Sequence, residues 1–333
     1  MNVAVTAIPP QKTAPKRRLR DEFSDWMRMK NYRDSTISSY VSDVLDFVLF
    51  CGKRDPRELS KDDVNRFLSM LANKRDVTWK TQNQNLCALV LFYDSFLEKP
   101  LGDIGKFAAA SKSSFLPVVF SRDEVRKVLA AMTGLTRLCA LLQYGCGLRV
   151  GEVVRLMVKD IDFERGVLTV IDGKGGKHRQ LPLPAVVVTP LQEHLARLKL
   201  MFDQDGGWAV ALPNAYESKN PSAARAWGWQ YVMSARDLVR DERDGVFKRY
   251  HIFEETVQRA VGRAIRIVGI TKKASTHTFR HSFATHFLED GGSIYDLQKL
   301  LGHSRIETTQ VYNHVMSPVA RRVKLPIDNL VFN

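Results

Sequence analysis

The sequence predicts a mainly α protein with a small antiparallel β-hairpin (α+β), divided into two domains. Three observations predict it. The chain has 333 residues, and at roughly 150 residues per domain that length implies two domains, each able to bury a core without disulfides. Apolar residues recur at spacings of three and four over most of the chain, with a break near 100–118. The period shortens to two between Val167 and Leu183. Apolar residues make up 44% and charged residues 26%, which argues against disorder. No apolar run approaches the roughly 18 residues of a membrane span, so no membrane partner is expected.

The elements follow in order. Residues 1–20 hold Pro9, Pro10, Pro15 and the cluster Lys16-Arg17-Arg18 without a signal peptide's apolar stretch, and are expected to be a flexible basic arm. Four helical patterns then fill 21–100. The first runs through Phe23, Trp26 and Met27. The second follows a cap at Ser35 and carries Ile37, Tyr40, Val41, Val44, Leu45 and Val48 on one face. The third starts at Ser60, with Asp62 and Asp63 where the helix dipole favours anions. The fourth runs from about Thr81 to Leu97, is apolar nearly all round, and is expected to be central.

Pro100, Gly102, Gly105, Ala108–Ala110 and the Ser-Lys-Ser-Ser run at 111–114 read as an interdomain linker over 101–118. The second domain opens on the capping box Ser121-Arg-Asp-Glu124, and helical patterns continue to about Leu156. Val167, Thr169 and Ile171 form a β-branched strand, Gly173-Lys-Gly-Gly176 a turn, and His178–Leu183 the return strand. Residues 203–250 read as irregular. Helical patterns resume from about 254 to the mid-310s. The four cysteines, Cys51, Cys87, Cys139 and Cys146, lie in apolar stretches at no metal-site spacing. They are expected to be buried, reduced thiols of a cytosolic protein.

Lys+Arg total 50 against 36 Asp+Glu, a formal charge of +14. Residues 1–110 hold 18 basic and 14 acidic side chains, and the remainder 32 and 22. Both halves are basic, so a polyanion gripped between them is the partner the charge favours.

Five of the eight histidines lie between 277 and 314. In His277-Thr-Phe-Arg280-His281-Ser-Phe-Ala-Thr-His286, His277 and Arg280 share a helix face, with Phe279, Phe283 and Phe287 on the buried side. Leu301-Gly302-His303 and the capping box Ser304-x-x-Glu307 lead into a helix bearing Tyr312. Zinc is a poor fit: His277 and His281 have i,i+4 spacing, but Thr278 stands where a metalloprotease needs Glu. Arg149, in Gly145-Cys-Gly-Leu-Arg149, precedes Glu152 by three. The bland alternative is a surface ion pair worth less than about 1 kcal/mol; the functional one is a guanidinium fork on phosphate. Lys174 sits at the glycine hairpin tip, between strands rather than before a helix, which makes a Walker loop a poor reading. Together, two arginines, histidines, a lysine and a tyrosine suit phosphoryl transfer without metal. The arginines would neutralise non-bridging oxygens, a histidine accept the tyrosine proton, the phenol attack, and the lysine protonate the departing oxygen.

Gly-Leu-Arg149-Val-Gly-Glu152, Gly-Lys174-Gly-Gly-Lys, His277-Thr-Phe-Arg280-His-Ser-Phe-Ala-Thr-His, Leu-Gly-His303-Ser and Thr-Thr-Gln-Val-Tyr312-Asn-His-Val resemble the tyrosine recombinases, in the family's order, over about residues 20–316. The resemblance implies a two-domain C-shaped DNA clamp, a 3′-phosphotyrosyl intermediate, a homotetramer on two DNA sites, a Holliday junction, and neither ATP, metal nor other cofactor. It implies a cytoplasmic protein of the bacterial nucleoid. Arg149 and Arg280 would clamp the phosphate, Lys174 would be the general acid, His277 and His303 would assist phosphate and proton, Tyr312 would be the nucleophile, and Glu152 would support them. The domains would be an arm (1–20), a helical SAM-like core-binding domain (21–100), a linker (101–118), a catalytic domain (119–316) and a trans-docking tail (317–333).

Leu183 and His277 are 94 positions apart. The extra stretch, about 203–250 and including Trp227-Gly-Trp229-Gln-Tyr231 and Lys248-Arg249-Tyr250-His251, is similar to the insertion of the integron integrases. That subgroup recombines gene cassettes and recognises folded single-stranded sites through unstacked bases. Trp227, Trp229, Lys248, Arg249, Tyr250 and His251 are the candidate DNA contacts, since aromatic and basic side chains can stack splayed bases. The stretch departs from the usual pattern at Met233-Ser234, Asp241-Glu242 and Tyr250-His251, and the tail departs from Pro318 onward. The alternatives are an Xer-like or phage-type recombinase acting on duplex sites, a catalytically silent DNA-binding protein, and a metal-dependent nuclease.

Overall fold

The computed structural model describes residues 18–74, 77–111, 116–171, 178–212, 214–242 and 244–314. Nearly all of the basic arm, the hairpin tip with Lys174 and the tail from 315 lie outside the described residues. The chain divides into two compact units between Phe115 and Leu116.

The first unit contains helices α1 (Leu19–Met29), α2 (Asp34–Phe50), α3 (Lys61–Lys74) and α4 (Trp79–Val90). A wider π-type stretch, Leu91–Phe96, continues α4. α2 starts at Asp34, one residue before the expected cap at Ser35, and places the Asp34 carboxylate in the first turn. α4 starts two residues earlier than expected because the Thr78 hydroxyl caps it, accepting from the Thr81 N–H at 3.3 Å. The core is aromatic: Phe23, Phe47, Phe67, Phe92 and Tyr93 are fully buried. Edge-to-face contacts join Phe23 to Phe92 at 5.1 Å and Phe47 to Phe67 at 5.4 Å.

α4 is less apolar inside than its pattern implied, for it buries Gln82 and Asn85. Gln82 Nε2 donates to the Leu68 carbonyl at 2.9 Å and the Ala108 carbonyl at 2.7 Å, and its Oε1 accepts from the Ala110 N–H at 2.8 Å. Asn65 Nδ2 donates to the carbonyls of Ile104 and Lys106. Residues 104–110, expected to be part of the interdomain linker, are thus tied to the first unit. Side-chain amides supply the partners that an aperiodic backbone lacks. The cysteine expectation fails at Cys87, which is exposed, while Cys139 and Cys146 are buried and Cys51 is half-buried; all four are free. α4 buries the face through Gln82, Asn85, Ala88 and Leu89, and Cys87 lies off it.

The second unit opens with α5 (Arg122–Ala130), α6 (Gly134–Cys146) and α7 (Val150–Val154). The Ser121 capping box forms as expected, with Ser121 N–H to Glu124 Oε2 at 2.7 Å and Glu124 N–H to Ser121 Oγ at 3.1 Å. A short strand β1 (Ile161–Asp162) joins β2 (Val167–Ile171) and β3 (His178–Pro182) in an antiparallel sheet of order β1-β2-β3. Its register pairs Val167 with Pro182 and Ile171 with His178. Helix α8 (Ala185–Gln204) follows. Residues 203–250, read as irregular, hold a short helix α9 (Asn214–Lys219), 3-10 turns and a second antiparallel pair, β4 (Ser234–Arg240) and β5 (Phe247–His251). β4 escapes a period-two reading because it is exposed over most of its length, so neither face is marked by apolar residues.

Helices α10 (Glu254–Val268), α11 (Thr276–Glu289), α12 (Ile294–Leu301) and α13 (Glu307–Gln310) complete the unit. Its main core gathers Phe120, Leu142, Leu148, Val153, Leu168, Val187, Val261 and Phe279. A satellite cluster of Ala284, Leu288, Leu297 and Leu301 includes Tyr312. Among the described residues no helix is long and apolar enough to cross a membrane.

Candidate active site

The site is assembled where two helices of the second unit end, α6 at Gly147 and α12 at Gly302, each a place where a helix end exposes backbone groups. α6 ends at Gly147 in the left-handed region, φ 66°. A Cβ there would lie 2.5 Å from the Phe283 ring, so glycine alone lets the chain turn and deliver Arg149 to the start of α7. Glu152, in the first turn of α7, accepts from the Arg149 N–H and from Arg149 Nη1, both at 2.8 Å. Arg149 itself keeps 41% of its side chain exposed, so it can still meet a ligand.

Arg280, on α11, is 4% exposed. Its Nη1 donates to the Gly147 carbonyl at 2.6 Å and its Nη2 to the Leu301 carbonyl at 2.8 Å. Both carbonyls cap helix ends, so α6 and α12 aim this guanidinium. Burial and the neighbouring Arg149 charge, against the opposing Glu152, push its pKa down to about 10; it stays charged at neutral pH. Glu152 Oε2 lies 3.7 Å from Arg280 Nη1.

The third arginine was missed by the sequence reading. Arg179, on β3, donates from Nη2 to Glu152 Oε2 at 2.8 Å and from Nε to the Leu300 carbonyl at 2.9 Å. Period two on β3 places it with buried Leu181 on the inward face, which is the signal that could have found it. Its guanidinium is seated against Gly302, where a Cβ would come within 3.1 Å. Burial raises the Glu152 carboxyl, but the hydrogen bond and charge of Arg179 and the Arg149 contacts hold it below its usual range.

Two histidines face this cluster. His303 Nε2 lies 3.2 Å from Arg280 Nη2, and its Nδ1 lies 2.9 Å from Thr309 Oγ1. An arginine only donates, so Nε2 accepts and the ring proton sits on Nδ1. Burial, then the charges of Arg280, Arg149 and Arg179, lower its pKa to about 4. His281, one residue after Arg280, places Nδ1 3.0 Å from the Tyr312 hydroxyl. Tyr312 is 3% exposed; burial raises its pKa, while the fields of Arg280 and Arg149 oppose the rise. Of the six expected active-site positions, Arg149, Arg280, His303 and Tyr312 converge with Glu152. His277 is exposed in the first turn of α11. Lys174 lies outside the described residues, between the ends of β2 and β3.

The candidate DNA contacts of the insertion fare differently. Lys248 is 2% exposed and lies within 3.0 Å of Glu217, 3.1 Å of Asp241 and 2.6 Å of Asp244. Arg249 is 5% exposed; it stacks 3.9 Å from the Trp208 ring centroid, donates to the carbonyls of Ala235 and Arg236, and pairs with Asp205. Both were expected to face nucleic acid, and both are instead buried ties within the unit. As neighbours on β5 they leave opposite faces of the strand, and each is covered by its own partners, Lys248 by carboxylates and Arg249 by Trp208 and Asp205, which make the burial tolerable. Trp227 packs 5.5 Å from Phe202. Trp229 stacks on Tyr216 at 4.5 Å, with the Lys159 ammonium 4.3 Å from its centroid. The Tyr250 hydroxyl donates to Asp241 at 3.1 Å, and His251 Nδ1 donates to the Ile252 carbonyl at 2.8 Å.

A constellation of clamped arginines, neutral histidines and a buried tyrosine defines a class. Residues 119–317 match the phage integrase family, and residues 19–103 match the phage integrase N-terminal SAM-like domain. The chain belongs to the phage integrase family and is a tyrosine recombinase, with that family's mainly helical fold and small antiparallel sheets. It is similar to an integrase/recombinase of Escherichia coli, 39% identical over 333 residues, which spans 99% of this chain and 98% of that one. It is similar to tyrosine recombinase XerC of Anoxybacillus flavithermus, 30% identical over 309 residues, covering 89% and 92%. In fold it resembles the Tn1549 transposon integrase solved in complex with transposon right end DNA, with a TM-score of 0.59, 16% identity and coverage of 91% and 96%.

Proposed function

We propose that the chain is an integron-type site-specific recombinase, which cleaves and rejoins DNA through a 3′-phosphotyrosyl bond to integrate and excise gene cassettes. The observation that carries the chemistry is the convergence of Tyr312 with Arg149, Arg280 and His303 around Glu152. Arg149 and Arg280 would hold the two non-bridging oxygens of one phosphate, where charge grows in the transition state. Tyr312 would attack phosphorus. Lys174 would protonate the departing 5′ oxygen, and His277 and His303 would assist the phosphate and the proton. The protein would act in the cytoplasm as a homotetramer on DNA, with the tail 317–333 docking into a neighbouring copy, and would need neither metal nor ATP.

The cassette reading is supported by the extra element of the second unit, whose β4–β5 pair exposes Leu238, Val239 and Phe247, apolar side chains able to receive unstacked bases. A second reading, an Xer-like or phage-type recombinase restricted to duplex sites, is supported by the burial of Lys248 and Arg249 and by the XerC relative. One experiment separates them. A nicked cassette-type site is offered as duplex and as a folded single strand, and binding and covalent adduct are read on each. The integron reading expects adduct on the folded strand; adduct on the duplex alone would overturn it. Adduct formation is expected to persist in excess EDTA and without ATP, and loss under EDTA would favour a metal-dependent nuclease.

A further inference from the structure

Among the described residues, His277, His281 and His303 are the histidines of the candidate site, and the geometry gives them different tasks. His303 has both ring nitrogens engaged, Nε2 by Arg280 and Nδ1 by Thr309. His277 is exposed in the first turn of α11. Among the described residues, His281 is the histidine whose ring nitrogen meets the phenol, at 3.0 Å, with ring centroids 5.7 Å apart. It is held on a 14-residue helix buried on most of its faces, so its position is set by the fold rather than by a loop.

We infer that His281 is a further catalytic residue, whose Nδ1 takes the phenolic proton as the Tyr312 oxygen attacks phosphorus. The inference rests on the reading of Tyr312 as the nucleophile. The O–H bond of Tyr312 breaks and its proton passes to Nδ1. The phenolic oxygen forms the new bond to phosphorus. The bond from phosphorus to the 5′ oxygen breaks, and that oxygen keeps the electron pair and takes a proton from the general acid. Religation by the 5′ hydroxyl runs every step backward, and the imidazolium returns its proton to the phenol.

The electrostatics of the pocket fit this use. Burial, with the charges of His277 and Arg280, lowers the His281 pKa to about 4, so its lone pair is open at neutral pH. With Nδ1 accepting, the ring proton resides on Nε2. In the resting protein an imidazolium beside Arg280 is strongly disfavoured. A phosphate clamped by Arg149 and Arg280 brings a negative charge that offsets their field, so the proton becomes transferable when substrate is in place.

The test is single-turnover cleavage of a nicked suicide substrate. His281→Ala and His281→Gln are expected to slow adduct formation about 10²-fold or more, the usual worth of a positioned base, while circular dichroism and site binding stay as in the parent. Glutamine still accepts a hydrogen bond from the phenol but is no base, so His281→Gln removes the proton acceptor and keeps the anchor. Added imidazole should restore part of the rate to His281→Ala. Replacing Tyr312 by difluorotyrosine, a more acidic phenol, should shrink the defect of both variants, which a merely structural role for His281 would leave unchanged. Parent-like cleavage by either variant, or equal defects with both phenols and no imidazole rescue, would overturn the inference. Tyr312→Phe is the control: loss of its adduct keeps the nucleophile reading intact whatever His281 does, and persistence of the adduct would remove that reading itself.

Discussion

Glu152 shows how one side chain sets the site. It is 15% exposed, accepts from Arg149 and Arg179, and lies near Arg280. Removing it leaves those cationic groups to repel each other in a half-dry pocket. Glu152→Ala is expected to cost about 3 kcal/mol in a denaturant titration and to lower cleavage further than that loss explains. Acid should act in the same direction. A histidine held near pKa 4 in the fold, against about 6.5 unfolded, contributes stability above pH 6.5 that is lost as pH falls toward 4, because the unfolded chain takes up the proton first. His281 and His303 both behave so. The lowered Glu152 carboxyl adds stability that is present above its unfolded pKa and fades at still lower pH. The thermal midpoint should therefore drop between pH 6.5 and 4, and less steeply in His303→Gln. Arg149, Glu152, Arg280, His303 and Tyr312 were all legible as motif positions. Arg179 was not, because a single arginine on a five-residue strand carries no motif, and its partners, Glu152 and the Leu300 carbonyl, lie 27 and 121 positions away.

At the scale of elements, two features test the packing. Gly147 closes α6 in the left-handed region against Phe283. Gly147→Ala should destabilise the second unit by about 2–4 kcal/mol, from the strained backbone and the ring clash together, with Arg149 displaced and activity lost. The β4–β5 pair is held by Lys248 among three carboxylates. Lys248→Ala should cost about 3–5 kcal/mol by stranding buried Asp241, while the DNA affinity of the protein that remains folded stays the same. A selective loss of affinity with unchanged stability would show that the lysine reaches DNA. Sequence period revealed the helices and the β2–β3 pair. It did not reveal β4, which has no buried face to mark, nor the side chains of Asn65 and Gln82 that fasten residues 104–110. Those ties join residues 26 to 41 positions apart, and spacing rules see only neighbours.

For the whole molecule, the +14 charge now divides into parts. Lys248 and Arg249 are buried in contacts within the second unit, Arg149 and Arg280 are assigned to the scissile phosphate, and the other basic side chains supply the positive field that meets the phosphate backbone. DNA binding is expected to weaken about 10³–10⁵-fold between 50 and 200 mM salt if six to ten phosphates are contacted, which a titration of the binding constant against salt would check. The proposed chemistry of the whole molecule passes through one phenol, that of Tyr312. Incubation with a nicked site should trap the protein covalently on DNA, and mass spectrometry of the digested adduct should place the 3′ phosphate on Tyr312, with no adduct from Tyr312→Phe. An adduct of normal yield from Tyr312→Phe, or a phosphate carried on another residue, would contradict it.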